Sequence, residues 1–131
     1  MRNILYIILL CFVFSAFALG QTIIEVPGGL ENAGVLEATI NGDTTATGER
    51  NDPDTIYLLD ANTFYIQNSA INISNPNGTL TIRGKEGGTK PVIIRMPVED
   101  VEPGANQINS SLTIQNVHWQ AMSTSGQLNW Q

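Results

Sequence analysis

Beyond residue 20, apolar and polar residues alternate with a period of two over many short stretches. Ile56 and Leu58 fall on one side of such a stretch and Tyr57 and Leu59 on the other. The same alternation recurs at Phe64 and Ile66, Ile71 and Ile73, Leu80 and Ile82, Val92 and Ile94, and Leu112 and Ile114. Residues two apart point the same way along a strand, so each pair is predicted to line a buried face. Between the runs lie Gly28-Gly29, Asn41-Gly42, Asn75-Pro76, Asn77-Gly78 and Gly87-Gly88. Gly and Asn tolerate positive φ and Pro presets φ near −65°, so these pairs predict turns. Short strands at this spacing predict an all-β architecture. One segment departs from it. Leu30, Ala33, Leu36 and Ile40 have helical spacing, which predicts a short amphipathic helix over Leu30–Ile40, capped by Asn32 and stopped at Asn41-Gly42.

The first twenty residues follow a different logic. Arg2 supplies one positive charge, and the run from Ile4 to Leu19 is apolar except for Ser15. Small residues follow at Ala18 and Gly20, the pattern of a secretory signal peptide over residues 1–20, cleaved between Gly20 and Gln21. The chain is therefore expected to be secreted or displayed at the cell surface, with no membrane span after cleavage. Cleavage removes Cys11, the sole cysteine, so the remaining domain has neither a disulfide nor a thiolate. It also removes Arg2, leaving five Lys/Arg against twelve Asp/Glu. A surface with that acidic balance lacks the clustered cations on which nucleic-acid and anionic-lipid binding rely, so no nucleic-acid partner is expected.

Residues 21–131 suffice for one small domain. Within it, Leu80-Thr81-Ile82-Arg83-Gly84 is echoed 32 residues later by Leu112-Thr113-Ile114-Gln115-Asn116, and Pro97–Asn109 between them reads as an acidic loop. Repeated short strands separated by turns can stack coil upon coil, as in a solenoid.

In its order of elements the chain resembles the opening of pectin-lyase-like right-handed parallel β-helix proteins. The resemblance rests on the helix Leu30–Ile40, then Asp54–Leu59, Thr63–Ile66, Ile71–Ile73 and Leu80–Gly84, with Gly42-Asp43-Thr44 and Gly48-Glu49-Arg50 pointing to a bacterial surface or secreted subgroup. It covers about Thr22 to Gln131, through patterns of apolar spacing. It implies the start of a right-handed parallel β-helix, capped by the N-terminal helix, with residues 21–131 forming the cap and first coils of a longer, truncated protein. Leu128-Asn129-Trp130-Gln131 has no comparable cap, so self-association through this uncapped C-terminal coil is a further expectation.

No catalytic, cofactor-binding or metal-binding residue is assigned from the sequence. His118 is the only histidine, and with no His or Cys partner it cannot build a zinc site; a strand or turn role accounts for it. Asp52 and Asp54, and separately Glu99, Asp100 and Glu102, are the carboxylate groups that could contribute to a calcium site, but neither has EF-hand spacing and solvated loop charge explains both. Polysaccharide lyases of the resembling family use calcium, carboxylates and a base. Arg83, Lys85, Lys90 and Arg95 are the bases available here, and no family motif matches onto them. Asn72, Asn77 and Asn109 begin glycosylation-acceptor triplets, which chains rich in Asn, Ser and Thr contain by chance. The expected function is a secreted β-helix module, non-catalytic as it stands, associated with a polysaccharide or cell-surface glycan. The alternative is the N-terminal fragment of a polysaccharide lyase or glycoside hydrolase whose active site lies in later coils.

Overall fold

The computed structural model describes residues 21–96, 104–122 and 128–129. The leader, the acidic cluster Glu99, Asp100 and Glu102, and Trp130 lie outside them. Among the described residues eight strands form two four-stranded sheets. The first contains β1 (Ile23–Val26), β2 (Ile56–Leu59), β4 (Asn72–Gly84) and β6 (Gln107–Gln115), in that order and all parallel. The second contains β3 (Phe64–Gln67), β5 (Val92–Arg95) and β7 (His118–Met122), parallel to one another, and closes with β8 (Leu128–Asn129) antiparallel to β7. From β2 to β7 the chain passes to the other sheet with every strand. The helix α1 (Val35–Gly42) packs against β1, β3 and β4.

The core holds Val26, Leu36, Ile40, Tyr57, Leu59, Tyr65, Ile71, Ile73, Leu80, Ile82 and Ile93. Strand β2 is nearly apolar throughout, with Ile56, Tyr57 and Leu59 buried, as expected of an inner strand of a parallel sheet covered on both faces. Helix α1 adds Leu36, Ile40 and Glu37 to the buried set. This finding corrects the expected all-β, right-handed parallel β-helix with a capping helix. The described residues form two small, mainly parallel sheets with one short helix sharing their core, an α/β-like arrangement.

The helix is also shorter and later than its apolar spacing predicts. Leu30–Asn32 is a single 3-10 turn, and α1 begins only at Val35. The break has a backbone cause. The Gly29 and Gly34 amides donate to the Phe64 and Ile66 carbonyls of β3 (2.8 and 2.9 Å), holding residues 29–34 along that strand's edge. Gly34 is left-handed (φ 83°), where a side chain would be strained and would meet the Asn68 amide. Asn32 caps nothing; its amide donates to the Gly28 carbonyl (2.8 Å).

Asn75-Pro76-Asn77-Gly78, predicted as turns, lies inside the 13-residue β4. Pro76 cannot donate to a ladder, and pairing with β6 shifts register between Asn75 and Thr79. The irregular stretch is tied down from outside: the Asn75 amide and the Thr79 N–H both donate to the Pro53 carbonyl (2.7 and 3.0 Å). A Cβ at Gly78 would collide with that carbonyl, so glycine is required there. Gln107–Asn109, assigned to the acidic loop, begin β6. The 32-residue echo is realised as register, with Leu80 opposite Leu112 and Ile82 opposite Ile114.

Two predicted faces are reversed. In β3 the buried residues are Tyr65 and Gln67, whereas Phe64 is exposed and Ile66 half-buried. In β5, Ile93 is buried and Val92 and Ile94 are half-buried. Tyr65 fixes the phase: its hydroxyl donates to the Val26 carbonyl (2.7 Å) and accepts from the Asp60 N–H (2.8 Å), bonds available only from the interior. Leu112 and Ile114, predicted to be buried, are 46% and 42% exposed because β6 is the outer strand of its sheet.

Candidate functional site

The reversed phase of β3 and β5 places Phe64, Val92 and His118 side by side as register partners on the outward face of the second sheet. They floor a shallow, open groove of about 660 Å³, walled by Asn62, Thr63, Gly88, Thr89 and Lys90. Phe64 is 38% exposed there, and His118 and Lys90 are also exposed. The walls are built by one asparagine. Asn62 adopts a left-handed conformation (φ 59°) that carries the chain from β2 into β3. Its N–H donates to the Thr89 carbonyl (2.9 Å), and its side-chain oxygen accepts from the Thr89 N–H and hydroxyl (2.8 and 3.0 Å). A Cβ at Gly88 would strike the Asn62 amide, so the two turns pack in direct contact. The groove thus combines an accessible aromatic ring, a cation that makes no ion pair among the described residues, an imidazole and hydroxyl groups, on a floor fixed by ladder hydrogen bonds. Among the described residues its lining includes no carboxylate.

A second polar constellation is better ordered and closed. Tyr57 donates its hydroxyl proton to Asp43 Oδ2 (2.7 Å), Arg50 donates to the Tyr57 oxygen and to Asp43 Oδ2 (3.3 Å), and the other Arg50 nitrogen donates to the Ile40 carbonyl. Asn51 completes it through Asp43 Oδ1 (2.7 Å). Burial works against the Asp43 carboxylate, but the hydrogen bonds from Asn51 and Tyr57 and the Arg50 charge outweigh it and hold its pKa below the ordinary value. Burial first, and the bond to Asp43 second, push the Tyr57 phenol upward. The crevice beside it, lined in part by Pro53, Ile73 and Leu80, has no space for a ligand. The cluster braces the chain between α1 and β2.

Its titration gives a testable sign. A phenol whose pKa is raised on folding contributes stability that is complete below the unfolded value of about 10 and lost as pH rises past it. Tyr57→Phe should cost about 1 kcal/mol at neutral pH, the net worth of a hydrogen bond. The gap in urea midpoint between the two proteins should then narrow above about pH 10. A gap that stays constant across that range would show that Tyr57 does not titrate as its surroundings dictate.

The remaining candidates are dispersed. Asp52 accepts from the Thr22 N–H (3.1 Å) and the Asp54 N–H (3.0 Å); hydrogen bonding from the Thr22 side chain first, and from the Asp54 N–H second, lowers its pKa. Asp54 accepts from the Thr79 N–H (3.1 Å). Both therefore serve backbone N–H groups, and among the described residues no group of three or more His, Cys, Asp or Glu converges as metal ligands would. Lys85 pairs with Asp60 (2.8 Å) and Glu25 (3.1 Å), which raise its pKa in that order. Arg95 donates to the Gly104 carbonyl, and Arg83 lies beside Leu58, Lys85 and Glu86 in a separate surface hollow. Of the bases and the histidine noted in the sequence, Lys90 and His118 share the groove, and Arg83 and Lys85 share the separate hollow. Phe64 and Asn62 were not legible as site residues. Phe64 reads as core by alternation, and the signal against it was the neighbouring tyrosine, whose hydroxyl can be satisfied in the interior where Phe has nothing to bond.

No helix among the described residues is long and apolar enough to cross a membrane. No protein-family model, curated protein or solved structure matches the chain. What the groove can do follows from its own residues.

Proposed function

We propose that the chain is a secreted or surface-displayed binding module that holds a glycan against the outer face of its second sheet without transforming it. The observation that carries this reading is the exposed Phe64 ring, which shares a walled groove with Lys90 and His118. Sugars offer an apolar C–H face and a rim of hydroxyls. An aromatic ring supplies area for the first, and the three donors of an ammonium group and an imidazole supply partners for the second. Sites of this kind pair an apolar floor with few polar groups that orient the ligand. Glycoside hydrolysis needs two carboxylates flanking the bond, and the lining has none. The apolar leader with small residues at Ala18 and Gly20 supports an extracellular setting.

The test is affinity electrophoresis through gels containing neutral or acidic soluble polysaccharides, with wild-type protein beside Phe64→Ala and Lys90→Ala. Retardation by at least one polysaccharide is expected, weakened about tenfold or more by Phe64→Ala, a loss of about 1.4 kcal/mol. Since Phe64 is exposed, the variant should keep the wild-type circular dichroism spectrum. Equal retardation of wild type and Phe64→Ala, or none by any polysaccharide, would overturn the assignment. Shortening of the retarding polysaccharide by wild-type protein would overturn its non-catalytic part.

A further inference from the structure

The first sheet ends on a strand that presents an unusual edge. Each of its strands is parallel to the next, and among the described residues β6 has a sheet neighbour only on the β4 side. Across that pair the environment changes abruptly. Leu80 is 2% exposed and its register partner Leu112 is 46% exposed; Ile82 is 0% exposed and its partner Ile114 is 42% exposed. Leu112 and Ile114 are two apart and share a face, so they form one apolar strip beside a backbone edge that pairs with no other strand among the described residues.

Exposed edges are ordinarily blunted by charge or proline. Strand β6 reads Gln-Ile-Asn-Ser-Ser-Leu-Thr-Ile-Gln, nine residues with neither. The chain around it carries a net charge of −6, so the neutrality of this edge stands out. The charge pattern selects the partner. Two copies of an acidic protein repel unless they meet where the charge is absent, and like charges directly opposite in a strand pair are destabilising. In a two-fold antiparallel pair the same strand meets itself, so residue i faces residue j of the copy and residue j faces i of the copy. A neutral edge satisfies that condition. The other edge of the sheet, β1, carries Glu25.

We propose that two copies of this chain associate through β6, edge to edge and antiparallel about a two-fold axis, joining the first sheets into one and covering Leu112 and Ile114 of each copy. The pairing closes on itself, giving a dimer and no larger assembly. A single strand pair buries area at or below the low end of specific interfaces, about 1,200 Å², so the dimer dissociates on dilution. The inference is independent of the groove, which lies on the other sheet.

Sedimentation equilibrium across a wide concentration range tests it, with wild type, Leu112→Lys, Ile114→Lys and the opposite-edge control Ile23→Lys. Ile23 is 52% exposed, so all three lysines replace solvent-accessible side chains, and circular dichroism checks that each variant is folded. A monomer–dimer equilibrium is expected for wild type and Ile23→Lys, with the dissociation constant raised at least tenfold by Leu112→Lys or Ile114→Lys. Amide hydrogen exchange in residues 107–115 should slow as protein concentration rises. A wild-type monomer throughout overturns the proposal. So does a dimer indifferent to both β6 lysines, a dimer lost through Ile23→Lys, or an open series of oligomers. If one β6 variant fails to fold, the other together with the exchange measurement decides.

Discussion

Replacing Leu80 with Asp should abolish soluble, folded protein. Leu80 lies in β4 at the centre of the buried cluster, 2% exposed, with Ile73 and Ile82 in the same core. Losing a buried leucine costs about 2–5 kcal/mol from transfer and cavity terms alone. The aspartate adds the cost of an unpaired buried charge, or of protonating it to avoid that charge, which is several kcal/mol more. Domains of this size are stable by only about 5–15 kcal/mol in total, so the sum reaches or exceeds the whole. Leu80→Ala separates the two contributions. It should fold with a lowered urea midpoint and an unchanged slope, whereas Leu80→Asp should be recovered only from inclusion bodies. Leu112→Asp, at the register partner, should remain soluble, because that side chain already meets water. Soluble Leu80→Asp with a wild-type circular dichroism spectrum would contradict the burial of β4.

The second large effect is expected at Arg50. Its guanidinium serves three acceptors at once, Asp43, Tyr57 and the Ile40 carbonyl, and the side chains of Arg50 and Asp43 are almost wholly buried. Truncation to alanine leaves an uncompensated carboxylate and a carbonyl at the end of α1 without its donor. Breaking a buried pair from one side costs about 3–5 kcal/mol. Arg50→Lys should recover only part of this, since one ammonium cannot reproduce a planar fork. The pH dependence follows from Asp43. Its pKa is lowered on folding, so its contribution is present above the unfolded value of about 3.9 and lost as pH falls through the native one. The penalty of Arg50→Ala should therefore shrink on acidification below about pH 4. Chemical denaturation at neutral and acid pH measures both quantities. A neutral-pH cost below about 1 kcal/mol would place the cluster among surface ion pairs, which contribute little.

These two positions illustrate different degrees of legibility. Leu80 could be placed in the core from alternation alone, as could Ile56, Ile71, Ile73 and Ile82. The Asp43–Arg50–Tyr57 cluster could not, because its members are spread over 14 residues with no spacing signature, and their meeting depends on where α1 ends and β2 begins. The groove was hidden for a related reason. In a strand apolar on both sides, alternation shows that two faces exist but not which one is interior. For β3 the choice was made by polar groups: Tyr65 reaching Val26 and Asp60, and Gln67 bonding the Ser69 carbonyl and Asn106 (2.9 and 2.7 Å). Glu37 makes the same point in α1. Fully buried, it accepts from the Asn68 and Ser69 N–H groups (2.8 and 3.1 Å), partners that lie 31 and 32 residues away.

The sequence by itself determined the positions of β2 and β3 within a residue or two, the turns at Gly28-Gly29 and Gly87-Gly88, and the alignment of Leu80 with Leu112. These are consequences of local sterics and of a period-two pattern, which a short window of residues carries. Only the tertiary structure decided that the helix starts at Val35 and shares the core, that the architecture is α/β-like rather than a capped β-helix, and that Phe64 faces out. The helix start and the phase of β3 turn on polar groups finding partners far along the chain. The cost of leaving such a group unpaired exceeds the preference of any single side chain for one face, so the distant partner prevails over the local pattern.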